Sequence, residues 1–200
     1  MHTEFPAQAL AAVATLVAAL IAGAISFVNL TLTKELKTSE FRQAWIDALR
    51  EDLAKFFGAA RAFARAVEVV HTFGPEYKDK VPLLISDEKI GELRYQAAEM
   101  LSKIKLRLNP DEAEHQELLR LLVKVVKIQN ETLANGGGVA ATIQAIEAAN
   151  EYARPVLKKE WTRVKQGELP FRVARNWLAP LIFIVSIGFL AFMWNGSFKI

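Results

Sequence analysis

The feature that most constrains this chain is where its charges are not. Between Glu4 and Lys34 run 29 residues without Asp, Glu, Lys or Arg, and another 23 run between Arg175 and Lys199. The 142 residues from Lys34 to Arg175 hold 45 of the 47 charged side chains. A single soluble domain spreads its charges, because every surface segment meets water. The chain also has no cysteine and is 52% hydrophobic. It is therefore neither a disulfide-stapled secreted scaffold nor a disordered polar chain.

A hydrocarbon core about 30 Å thick takes roughly 20 apolar residues as a helix. Residues 7–32 exceed that, and their polar side chains are only Gln8, Thr15, Ser26, Asn29 and Thr31. Residues 177–194 are shorter and reach about 27 Å at 1.5 Å per residue. A tryptophan at each end of this run suits the half-solvated headgroup region, and Pro180 falls in the first helical turn. Both stretches are expected to span a membrane. A cleaved signal peptide fits the first run poorly, because no Lys or Arg precedes it and the apolar stretch is too long.

The flanks set the expected orientation. Lys34, Lys37, Arg42, Lys158, Lys159, Arg163, Lys165, Arg172 and Arg175 stand on the central side, against Lys199 and the amino terminus outside. The positive-inside tendency puts residues 33–176 in the cytoplasm and both termini across the membrane.

The central segment reads as helix throughout. One helix is expected over 39–71, with Phe41, Trp45, Leu49, Leu53, Phe56, Ala60, Phe63, Val67 and Val70 on its apolar face. It either continues out of the first span or overhangs its neighbours. A loop follows from Gly74-Pro75 to Ile85. A second helix is expected over 86–108. Asn109-Pro110-Asp111-Glu112 then reads as a capping box opening a third, which ends near Ala134 before Gly136-Gly137-Gly138. A fourth covers 139–165, kinked or split at Pro155. Short connections favour antiparallel neighbours. The expected fold is all-α: a cytoplasmic antiparallel four-helix bundle flanked by two transmembrane helices.

Candidate chemistry is sparse. Glu-x-x-His occurs at Glu68/His71 and again at Glu112/His115, the pattern that supplies half the ligands of di-iron bundles. Opposite ends of an up-down bundle would separate the two pairs, so both are expected to be exposed helix-end pairs. The glycine run lacks the Lys-Ser/Thr of a phosphate loop and reads as a helix stop. No catalytic, metal or cofactor site is assigned, and the chain is expected not to be an enzyme. With 24 basic against 21 acidic residues, the central segment has no basic face for nucleic acid.

Three residue sets stand out instead. Ala14, Ala18, Ala22 and Ser26 repeat every four residues in the first span, beside Ala11, Thr15, Ala19 and Gly23. Small residues so spaced permit close helix approach in lipid, either to the second span or to another copy. Lys158, Lys159, Arg163, Lys165, Arg172 and Arg175 form a basic flank suited to anionic lipid. The third set comprises Phe41, Arg42, Trp45, Ile46, Leu49, Arg50 and Asp52. Its apolar members are expected in the core, and Arg42, Asp47, Arg50 and Asp52 are spaced for ion pairs.

The segment FRQAWIDALRED (41–52), followed by KIKLRLNP (103–110), resembles an uncharacterised family of small bacterial inner-membrane proteins. The resemblance implies a bacterial origin and this topology, and it implies no mechanism. The expected function is a non-enzymatic, oligomeric membrane protein whose partners are the bilayer, its own copies and an unidentified protein. A gated pore or membrane-disrupting effector in stress or phage defence is the first alternative. An anionic-lipid-binding or transport accessory protein is the second.

Overall fold

The computed structural model describes residues 7–74, 86–135, 139–167 and 169–194. The loop assigned to Pro75–Ile85, the glycine run 136–138 and both chain ends lie outside the described residues. Every described element is helical: α1 (Ala7–Phe73), α2 (Asp87–Arg107), α3 (Ala113–Asn135), α4 (Val139–Gln166), α5 (Leu169–Val173) and α6 (Ala179–Trp194). A single π-helical turn, Ala174–Leu178, joins the last two. The chain divides into two compact units, Met1–Arg42 with Arg163–Ile200, and Gln43–Thr162.

The first apolar stretch and the first helix of the charged segment are one element. Nothing breaks α1, which has no proline from Ala7 to Phe73. At its first charged residues Lys37 donates to Glu40 at 2.8 Å, and the Thr33 and Thr38 hydroxyls donate to carbonyls four residues back. Gly74 ends it at φ +65°, a left-handed conformation open to glycine.

In the first unit, the covered residues of α1 include Ala14, Val17, Ile21, Ala24, Val28, Thr31, Glu35, Thr38 and Arg42, with Leu32 and Ser39 beside them. The alternating spacing of three and four from Ala14 to Arg42 is a coiled-coil seam. On the other side of an apolar groove of about 250 Å³, lined from α1 by Ile25, Val28 and Asn29, stand Ala179, Ile182, Phe183 and Ser186 of α6. The remaining apolar surface is open: Leu16, Leu20, Phe27 and Leu30 are 60–73% exposed, and Ile184 is 65% exposed. Both helices are long and apolar enough to cross a membrane, and only 6% of either apolar window is buried.

The second span was expected to begin at Trp177 with Pro180 in its first turn. Instead the helix is already running at Leu169, and Pro180 sits inside it. The proline cannot donate to the Asn176 carbonyl, and its ring crowds that group. The ladder widens one residue earlier, where the Ala179 N–H donates to Ala174 O, five residues back.

In the second unit, four helices share one core. Leu49, Leu53, Phe56 and Ala60 of α1 meet Ala97, Met100 and Ile104 of α2, Leu118, Leu122 and Val125 of α3, and Ile146, Ala149, Ala153 and Val156 of α4. Each fully buried Phe, Leu or Ile side chain contributes about 1.5–3 kcal/mol. Polar ties cross the same core. The Gln129 amide donates to Ala60 O at 3.1 Å, and Thr132 and Thr142 share a hydroxyl hydrogen bond at 3.2 Å.

Three local expectations are corrected. Phe41 is 75% exposed and outside the core; residues four apart drift about 40° around a helix, and two such steps carry position 41 off the face of Leu49. Of the two outcomes expected at Pro155, a kink or a split, the split does not occur, because α4 continues to Gln166. Asn109-Pro110-Asp111 is a turn before α3, not its capping box. The Asn109 side chain accepts from the Asp111 N–H at 3.0 Å. The Asn109 N–H goes to His115 rather than to Glu112, so the helix starts at Ala113.

Candidate functional site

The two segments that carry the family resemblance meet in space. From α1, the Trp45 indole donates to Arg107 O at 3.1 Å, and Asp52 accepts from Arg107 Nε at 2.6 Å. Trp45 caps a helix end chemically, because Arg107 is the last residue of α2 and its carbonyl has no partner further along. Asp52 is 7% exposed, so its pair with Arg107 is shielded far more than the surface pair Arg50–Asp47 at 2.7 Å.

Directly after α2 the chain turns back through Asn109. Its N–H donates to His115 Nδ1 at 3.1 Å, and the His115 ring lies 5.9 Å from that of Trp45. His115 is 3% exposed. The expectation of two exposed His–Glu pairs therefore fails at His115, while His71 is exposed and its neighbour Glu68 pairs with Arg65 at 2.6 Å. His115 is buried because the turn at 108–112 folds α3 back beneath Trp45. Sequence spacing alone carries no sign of that turn-back.

Ligand atoms of Glu112, His115 and the buried Glu160 lie within 4.8 Å of one another. Three donors at that separation satisfy the count for a divalent cation. The hydrogen bonding does not favour one. A neutral imidazole has a single lone pair, and the Asn109 N–H occupies it. A cation on this histidine would leave that N–H without its acceptor, at about 1–3 kcal/mol. These bonds make His115 part of a junction between α1, the end of α2 and the start of α3, with Glu160 of α4 close by.

The other predicted residues separate. Ile46 and Leu49 are fully buried, Trp45 is half-buried, and Arg42 is half-buried in the other unit. Of the small-residue rows only Ala14 lies on the α1 seam, while Ala11, Thr15, Ala18, Ala19, Ala22, Gly23 and Ser26 are exposed. The covered seam carries Val17, Ile21 and Val28 alongside Ala14 and Ala24, and the other small residues of the two rows are exposed.

The basic set is divided between the two units. Lys159 pairs with Glu114 at 2.8 Å, and Arg175 donates to Asn176 while lying 5.1 Å over the Phe171 ring. Arg163, Lys165 and Arg172 belong with these last residues to the first unit. Arg163 and Lys165 are also partnered. Lys158 alone of the set lines a cleft, about 600 Å³ in volume, with Gln43, Asp47, Arg50, Arg154, Leu157 and Trp161. Sequence reasoning missed Arg154. The signal was present, since Arg154, Leu157, Lys158 and Trp161 stand at i, i+3, i+4 and i+7 on one face of α4.

Comparison with family models, with curated proteins and with solved structures returns no match.

Proposed function

We propose that this protein is a non-enzymatic integral protein of a bacterial inner membrane. It crosses the bilayer with the apolar part of α1 and with α6, and its central segment is a cytoplasmic antiparallel four-helix bundle for interaction or sensing. The observation that carries this reading is the open apolar surface of both helices, of which only 6% is buried. A helix buried in a soluble core hides its large side chains, whereas one in lipid shows them.

Self-association through α1 completes the proposal. Thr15, Ala19, Ala22, Ser26, Asn29 and Thr33 form a second series with alternating three- and four-residue spacing, about 100° around the helix from the seam. All six are exposed. Thr15 and Thr33 satisfy their hydroxyls on carbonyls four residues back. The Asn29 side chain has no hydrogen bond among the described residues. In hydrocarbon such an amide gains from pairing with the same residue of a second copy, while the small neighbours permit close approach.

Carbonate extraction of expressing membranes, with topology reporters at both termini and within 75–85, tests the first part. Retention in the pellet, with cytoplasmic signal only from the central site, is expected. Release into the supernatant overturns it. Crosslinking in native membranes tests the second part, where a monomer under all conditions counts against self-association.

A further inference from the structure

The cleft on the second unit gathers three cations from two helices. Its cations are Arg50 from α1 with Arg154 and Lys158 from α4, and its one carboxylate, Asp47, is already held by Arg50 at 2.7 Å. Arg154 and Lys158 are exposed, stand one helical turn apart and have no ion pair among the described residues. Other cations of this unit are paired. Lys55, Arg61, Lys103, Arg120 and Lys159 each reach a carboxylate within 2.9 Å. Like charges at i,i+4 repel along a helix face, and an anion between them relieves that repulsion.

The wall of the cleft is apolar and aromatic. Leu157 and Trp161 continue the stripe of Arg154 and Lys158, each leaning toward the same opening, and Gln43 supplies an amide on the α1 side. A volume of about 600 Å³ lies within the usual range for small-molecule sites. Guanidinium groups match phosphate oxygens in pairs, an ammonium adds a point charge, and an indole face takes a ring or an acyl chain.

We propose that this cleft binds a phosphate-bearing amphiphile, with Arg50, Arg154 and Lys158 on the phosphate and Trp161 with Leu157 on its apolar or aromatic part. The same chemistry belongs to a phospholipid headgroup and to a nucleotide. The site lies entirely within residues 43–161, so it stands apart from how the apolar helices are disposed in the bilayer.

Calorimetric titration of the full-length protein in a non-ionic detergent separates the sources with three probes: inorganic phosphate, ATP and dihexanoyl phosphatidic acid. Saturable binding of ATP or of the short-chain lipid is expected, and whichever binds identifies the source. The R154A/K158A variant should bind at least tenfold more weakly. The K124A/K127A variant removes two exposed charges from α3 and should bind as the parent does. Trp161→Ala should weaken the amphiphile and leave any inorganic phosphate binding unchanged. Absence of saturable binding to all three probes overturns the proposal, as does equal weakening in the two double variants. Phosphate binding as tightly as the amphiphiles overturns the role of Trp161 and Leu157. Unchanged thermal melting of R154A/K158A separates a lost ligand contact from a lost fold.

Discussion

Trp45 serves two neighbours at once, and each can be isolated. Its indole N–H satisfies the carbonyl at the end of α2, while its ring covers His115. Trp45→Phe keeps an aromatic ring and removes the hydrogen bond. It is expected to lower unfolding free energy by about 1–2 kcal/mol, read by denaturant titration. An unchanged midpoint would mean that water replaces the indole at no cost. Asp52 and Arg107 make a stronger test. Their side chains are 10% and 35% exposed, so screening takes only part of the 2.6 Å interaction. A double-mutant cycle with Asp52→Asn and Arg107→Gln should return a coupling of about 1–2 kcal/mol. Zero coupling would reduce the pair to coincidence of two chain positions.

At the level of elements, Pro155 is the clearest place where α4 works against its own sequence. The helix continues through it with the ladder bond to Glu151 missing. Pro155→Ala restores that bond and relieves the ring's crowding, a gain of up to about 3 kcal/mol. It also frees the unfolded chain, which returns about 0.4–1 kcal/mol. A net stabilisation of about 1–2 kcal/mol is expected from chemical denaturation, and destabilisation would show that α4 relies on the proline's shape.

Surface pairs along the helices set a pH dependence. The hydrogen bond from Lys55, assisted by its charge, holds the Glu51 carboxyl below the usual carboxylate range, and Arg120 does the same for Glu117. A depressed carboxyl stabilises above its unfolded value and loses that contribution as pH falls through its folded value. Lys55 is raised by the hydrogen bond and charge of Glu51, so its contribution is present below the ordinary lysine value and fades as pH rises through the raised one. The melting advantage of the parent over E51Q/E117Q should therefore be present at neutral pH and shrink in acid. An advantage that does not vary with pH would contradict this assignment.

Helix content and the apolar stripes were legible because both are periodic. Leu49, Leu53, Phe56, Ile104, Leu122 and Ile146 fall in the core from their spacing alone. What escaped depends on pairings that periodicity cannot express. The loss of Phe41 from the core comes from helical drift over two turns. The turn at Asn109 depends on a histidine six residues later as acceptor. The cleft combines stripes 104 or more residues apart, from Arg50 to Arg154.

For the whole molecule, the self-association proposed above turns on the exposed face of α1 that carries Asn29. Asn29→Leu removes the amide while keeping the span apolar. It should lower the crosslinked dimer fraction in native membranes several-fold and leave membrane retention intact. An unaltered dimer fraction would move the contact elsewhere.

The unbroken course of α1 also has a consequence during synthesis. This helix supplies one wall of the core, yet all the residues it packs against are encoded after it, the last of them in α4. At roughly 5–20 residues per second, the hundred residues from Phe56 to Val156 take about 5–20 s to emerge. Throughout that interval the nascent chain leaves the apolar stripe from Leu49 to Val67 without the partners that cover it. A ribosome stalled within α3 would leave a half-built product fit for holdase chaperones and proteases, and messages truncated there should yield chains that are degraded fastest.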